Sequence, residues 1–169
     1  NAAVYYLARM LEGGESIEFI GRRLIISASE DVGLANPNAL LMANQCFQAI
    51  RVVGLPEARI ILSQATIYLA TSAKSNASYM AINKAQAKVR ETGNLPIPLQ
   101  LRNAPTKLMK NLGYGKGYKY SHDYPNNFAA QEFLPEEVQN EKFYDPGDNR
   151  AENASRERLR ALWKEKYGY

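Results

Sequence analysis

The sequence predicts an all-α fold: a helical bundle, then a long irregular Gly/Tyr-rich loop, then a C-terminal amphipathic helix. Three observations carry that reading. Apolar residues recur at three- and four-residue spacing through the first 93 positions. Capping residues, prolines and glycines sit at the boundaries of those runs. No segment shows the sustained alternation of β-branched residues that marks a strand. At 169 residues, 46% hydrophobic and 22% charged, the chain is the size of one ordinary domain with a real core.

The first helix covers residues 3–12 and closes at Gly13-Gly14. Ser16 is placed to cap the second, where Ile17, Ile20, Leu24 and Ala28 share a stripe and Arg22-Arg23 point elsewhere. Asn36-Pro37 reads as a capping side chain followed by a first-turn proline. Behind it Ala39, Ala43, Cys46, Phe47, Ile50 and Val53 form one stripe, widened by Leu40, Leu41 and Met42, so this helix is expected to be central. Gly54 ends it. Pro56 and Glu57 open a fourth helix that buries Ala58, Ile61, Leu62, Ala65, Tyr68 and Leu69. A more polar helix, about 75–91, is anchored by Met80, Ala81 and Val89 and stopped by Thr92-Gly93-Asn94. These 93 residues form the predicted bundle and oligomerisation core.

Beyond Gly93 the character changes. Pro96 and Pro98 favour extended backbone. Pro105 starts a short helix with Leu108, Met109 and Leu112, terminated by Gly113. From there to about Leu134 an ordered loop is expected, pinned by its aromatic rings. The last helix, roughly 150–166, carries Leu159, Leu162 and Trp163 on one side, with Tyr167 following. Residues 94–149 are thus read as a basic and aromatic region packed on the bundle and 150–169 as a charged helix, all in one structural domain. Because Val4 to Leu11 is already in helical stride at the first residues, the chain reads as the C-terminal part of a longer protein.

Composition excludes several classes of chemistry. No run approaches the roughly 20 apolar residues of a membrane span, so no membrane partner is expected. One cysteine, Cys46, cannot form an internal disulfide, and with a single histidine no structural zinc site can be built. Any histidine-based nucleophilic catalysis would have to use His122, which next to Asp123 reads as a hydrogen-bonded structural pair. The GYGKGY run at 113–118 lacks both the gap and the Lys-Ser/Thr ending of a P-loop, and it follows a helix, not a strand. No catalytic residue, metal or cofactor is therefore assigned within these residues.

What the loop offers is binding. Residues 101–122 carry five bases, Arg102, Lys107, Lys110, Lys116 and Lys119, and no acid. Tyr114, Tyr118 and Tyr120 are interleaved with them, and these eight residues are the candidate DNA contacts. Asn103, Pro105, Gly113, Gly115, Gly117, His122, Asp123, Tyr124 and Pro125 complete the loop motif as structural residues. Glycines let backbone N–H groups approach phosphate, and tyrosine rings stack on unpaired bases. Two readings stay open: DNA contact, and simple pinning of a long loop. The acid-rich stretch 124–148, with Glu132, Glu136, Glu137, Glu141, Asp145 and Asp148 against Lys142, could face a partner or neutralise the basic stretch.

Several segments, in order, carry a resemblance: SASEDVGLA at 27–35, KSNASY at 74–79, LRNAPTKLM at 101–109, LGYGKGY at 112–118 and HDYP at 122–125. Over residues 4–145 the chain resembles the C-terminal region of the RarA/MgsA family, which includes the Werner-helicase-interacting ATPase. Gln100 stands where histidine is usual in that pattern. The resemblance implies a clamp-loader-like AAA+ ATPase acting at stalled replication forks, whose ATP and Mg²⁺ lie in an N-terminal domain. It further implies a collar-like helical region that assembles a homotetramer, DNA and single-strand-binding protein as partners, and a cytoplasmic, nucleoid-associated location. A rival reading is a protein-docking module that recruits replication partners through the aromatic loop.

Overall fold

The computed structural model describes all 169 residues as seven α-helices joined by short 3-10 and π-helical turns, with no strand. The chain divides into two compact units, residues 1–82 with 144–155, and residues 83–143 with 156–169. The divisions thus fall inside the fifth and seventh helices, not at 93 and 149 where the composition changes.

In the first unit, α1 (Ala2–Glu12), α2 (Ile17–Ser27), α3 (Asn38–Val53) and α4 (Ala58–Thr71) form the bundle. Ser16 caps α2 by accepting the Phe19 N–H at 3.2 Å. α3 packs against both α2 and α4 and is the central helix of this unit. One core cluster gathers Leu7, Ile20, Cys46, Ile50, Ala58, Leu62 and Ala65, and a second gathers Ala28, Val32, Ala39, Ala43 and Leu69. Ile50 and Leu62 are wholly buried, each worth about 1.5–3 kcal/mol of transfer free energy. Gly21 is required between α2 and α3, since a Cβ there would lie 2.8 Å from the Phe47 ring.

Periodicity overstated the width of the apolar stripe. Leu40, Leu41 and Val53 are exposed, so the buried face of α3 is the narrower row of small residues closed by Ile50. The Asn36 side chain does not cap α3. Its amide instead donates to the Tyr68 hydroxyl at 3.0 Å and the Ser72 hydroxyl at 3.1 Å, tying the start of α3 to the end of α4. The fifth helix, α5 (Ala77–Thr92), buries no residue, and its expected anchors Met80 and Val89 are exposed.

The segments 27–35 and 74–79 meet in this unit. Ala28–Val32 is a π-helical turn, and the Ser75 N–H donates to the Asp31 carbonyl at 2.8 Å. Gly33, at φ 51°, allows the approach, because a Cβ there would stand 2.5 Å from the Ser75 carbonyl oxygen. Against Ser75 sits Glu152, in the first turn of α7 (Arg150–Trp163) and only 1% exposed. Its carboxylate accepts from the Asn149 amide at 2.6 Å and the Tyr144 hydroxyl at 3.2 Å, and also from the Ser75 hydroxyl and the Gly147 N–H. Asn149 in turn accepts the Glu152 N–H at 3.0 Å, a reciprocal cap. Burial pushes the Glu152 carboxyl up, but these four donors outweigh it and hold it below the ordinary carboxylate range.

Polar and aromatic fasteners hold the second unit. Lys84 and Lys88 both pair with Glu141, and Lys166 pairs with Glu132. Trp163 receives Phe128 edge-on at 5.0 Å, with Phe133 and Tyr167 beside it. Ala129 and Val138 are the buried apolar residues here. Gln100 donates to the Glu132 carbonyl at 3.2 Å, a structural use of that position.

Candidate nucleic-acid interface

The interface is built from α6 (Lys107–Asn111) and the loop after it. α6 starts two residues beyond Pro105, because Thr106 is the cap and accepts the Met109 N–H at 3.2 Å. Leu108 and Leu112 are exposed, not buried as a core-facing helix would require. Gly113, Gly115 and Gly117 all lie at positive φ, 83°, 72° and 78°. Each reverses the chain where a side chain would be strained. The Gly115 N–H donates to the Leu99 carbonyl at 2.8 Å, which fixes the middle of the loop.

Of the five bases, Arg102 is used structurally. Its Nε donates to the Ile97 carbonyl at 2.6 Å, Nη1 donates to the Tyr114 hydroxyl at 3.1 Å, and the guanidinium stands 5.1 Å from the Tyr114 ring centroid. Arg102 and Tyr114 therefore lock the base of the loop. Lys107, Lys110, Lys116 and Lys119 are exposed, and none forms an ion pair. Glu132 and Glu141 are occupied instead by Lys166, Lys84 and Lys88, so these two acids do not neutralise the basic stretch. The Lys166–Glu132 contact lowers the carboxyl pKa against its desolvation and raises that of the amine.

Lys119 is held by its backbone. The Gln131 amide receives the Lys119 N–H at 3.1 Å and donates to the Lys119 carbonyl at 2.9 Å, leaving the ammonium outward. Tyr118 and Tyr120 are 49% and 55% exposed, and Tyr124 is exposed as well. Full pinning by aromatic burial therefore does not describe this loop: Tyr114 and Phe128 are engaged, and Tyr118, Tyr120, Tyr124 and Phe133 are exposed. His122 and Asp123 are both exposed and form no hydrogen-bonded pair; the imidazole instead contacts the Tyr120 ring at 5.1 Å. Asn103 and Pro105 are exposed too. Pro125 opens a 3-10 turn in which Asn126 is left-handed (φ 58°), as is Asn127 at its end (φ 52°).

Gln131 is the residue that sequence reasoning missed. Nothing local marks Gln131, which clamps a residue twelve positions earlier. Thr106 carried a legible signal, a threonine directly before the first helical residue. No group of three or more histidine, cysteine or acidic side chains gathers to hold a metal ion.

The fold and surface thus define a helical domain that carries an outward basic and aromatic loop. Residues 1–163 match the family model described as the MgsA AAA+ ATPase C terminal, and the chain belongs to that family. It is 43% identical over 160 residues to replication-associated recombination protein A of Coxiella burnetii, and 41% identical over 160 residues to the protein of that name in Escherichia coli K12. Each alignment covers 94% of this chain and 36% of the relative. An ATPase WRNIP1 of Dictyostelium discoideum is 41% identical over 146 residues, 86% of this chain and 17% of that protein. The chain therefore spans about a third or less of these curated relatives.

Proposed function

We propose that this chain is the assembly and DNA-engagement region of an AAA+ ATPase working in replication, recombination and repair at stalled forks. ATP and Mg²⁺ are assigned to the part of such a protein outside these residues, and the cytoplasm, on the nucleoid, is its place of action. The observation that carries DNA engagement is the set of four lysines without acid partners, on a loop whose backbone is already fixed. Self-assembly is supported by apolar side chains left outside the bundle core, among them Val52 at 86% exposure, with Leu41, Leu55 and Ile60.

Binding of a labelled DNA across a salt series tests the first part. Lys107→Ala, Lys116→Ala and Lys119→Ala together should lower affinity without sequence preference and flatten the log–log salt slope by about 2–3. An unchanged slope refutes it. Light scattering at two concentrations and two salt levels tests the second. A salt-resistant mass four times the 18.9 kDa chain is expected, and a monomer at high concentration refutes it.

A groove of about 440 Å³ in the second unit favours a docking reading alongside. Pro96, Ile97, Leu99, Leu134 and Pro135 line it, with Glu136 and Glu137. This reading takes replication partners as its occupants, recruited through the groove as well as through the aromatic loop.

A further inference from the structure

The rings of the loop fall into two sets with different duties. Tyr114 is locked under Arg102, and Phe128 is edge-on to Trp163. Tyr118 and Tyr120 have about half their surface in water, and Tyr120 meets the exposed His122 ring at 5.1 Å. They are not what holds the loop, since the Gln131 clamp on Lys119 and the Gly115 bond to Leu99 do that through the backbone. Large rings kept exposed on a fixed backbone are preorganised for a ligand with flat faces.

The order along the chain identifies that ligand. Lys116, Tyr118, Lys119 and Tyr120 alternate ammonium and ring within five residues. A single strand presents the complementary alternation of phosphate and accessible base face. A duplex presents phosphates, but its base faces are stacked on one another and only edges reach the grooves. We infer that Tyr118 and Tyr120 form a stacking site for unpaired bases, with Lys116 and Lys119 on the flanking phosphates, so that the loop selects single-stranded over duplex nucleic acid. This rests on the DNA-contact reading above and specifies its ligand.

The experiment is fluorescence anisotropy with the 169-residue chain and three probes at one salt concentration: an oligothymidine, an abasic oligomer of the same length, and a hairpin duplex with a closed end. The abasic probe should bind roughly tenfold or more weaker than oligothymidine. A Tyr118→Leu/Tyr120→Leu variant, with its helix content checked by circular dichroism, should lose a similar factor on oligothymidine and less than twofold on the duplex. Tyr118→Phe/Tyr120→Phe, which keeps the rings, should bind as the parent does. Lys116→Gln/Lys119→Gln should weaken binding to all three probes. If the lysine variant weakens binding while abasic and oligothymidine probes bind alike, DNA contact stands and the stacking site is refuted. Equal losses of the leucine variant on strand and duplex refute it as well. No binding to any probe refutes both readings.

Discussion

Removing the Glu152 carboxylate should rank with core truncations among the costly single changes in the first unit. The side chain is buried, carries a charge, and is stabilised by four neutral donors. In Glu152→Ala, the half-buried Tyr144 and Asn149 can recover water. The buried Ser75 hydroxyl and the Gly147 N–H lose a charged acceptor, at about 1.5 kcal/mol each. Loss of the packed methylenes adds about 1 kcal/mol, for a total of about 3–4 kcal/mol. That is a large part of the roughly 5–15 kcal/mol that holds an ordinary domain together. Glu152→Gln keeps the shape and one acceptor oxygen but turns an amide N–H₂ toward donors, and should cost about 2 kcal/mol. The pH dependence has a fixed sign. The folded carboxyl lies below its ordinary value of 4.5, so its contribution is complete above that value and is lost as pH falls through the lower folded value. The gap between parent and Glu152→Gln should therefore be full at neutral pH and narrow as pH falls below about 4.5. Urea unfolding followed by far-ultraviolet circular dichroism measures both. A Glu152→Ala cost under about 1 kcal/mol, or a gap that widens in acid, would refute the claim that neutral donors sustain this buried charge.

Two further changes probe the joints on which the units depend. Gly33→Ala puts a Cβ 2.5 Å from the Ser75 carbonyl at a backbone setting (φ 51°, ψ −136°) suited to glycine alone, and should cost about 3 kcal/mol in the same unfolding measurement. Gly14→Ala, also at positive φ but with nothing within 4 Å, should cost only about 1 kcal/mol, and equal costs would refute the steric argument. Trp163→Ala removes the ring that Phe128 and Tyr167 meet at 5.0 and 5.2 Å, and for this half-buried residue should cost about 2–3 kcal/mol. Trp163→Phe should recover most of that; a phenylalanine variant as unstable as the alanine one would show that the indole is not replaceable packing.

The helices were legible because their signals are local. Ser16 before Ile17, Gly54 after Val53 and the run of small residues at 39, 43 and 46 each act within one or two turns, and the chain obeys them. Long-range choices were not legible. Asn36 had two chemically sound partners, the α3 backbone and Tyr68, and only the packing of α4 decides between them. Glu152 is one of several acids on a charged helix, and its burial depends on Ser75, far away in sequence. One clue was in plain view: Asn149 precedes Glu152 by the three residues of a capping box. The basic loop was legible as composition, but not in how its side chains divide. Arg102 looks like the four lysines in sequence, and only the Tyr114 ring and the Ile97 carbonyl take it out of the binding set.

That division bears on how tightly a flexible-looking loop can bind. A chain segment ordered only on contact loses backbone entropy of about 1–2 kcal/mol per residue when it engages, which would cancel several phosphate contacts. Here that cost is met during folding. The Leu99–Gly115 bond, the Arg102–Tyr114 lock and the two-point Gln131 clamp hold residues 114–119 before any ligand arrives. Gln131→Ala should then behave unlike the lysine variants. It removes no charge, so the salt slope should be unchanged, while affinity falls several-fold because the loop must be ordered anew at each encounter. A Gln131→Ala chain that binds as tightly as the parent would mean that the clamp does not preorganise the surface, and that the lysines act as an unstructured cloud of charge.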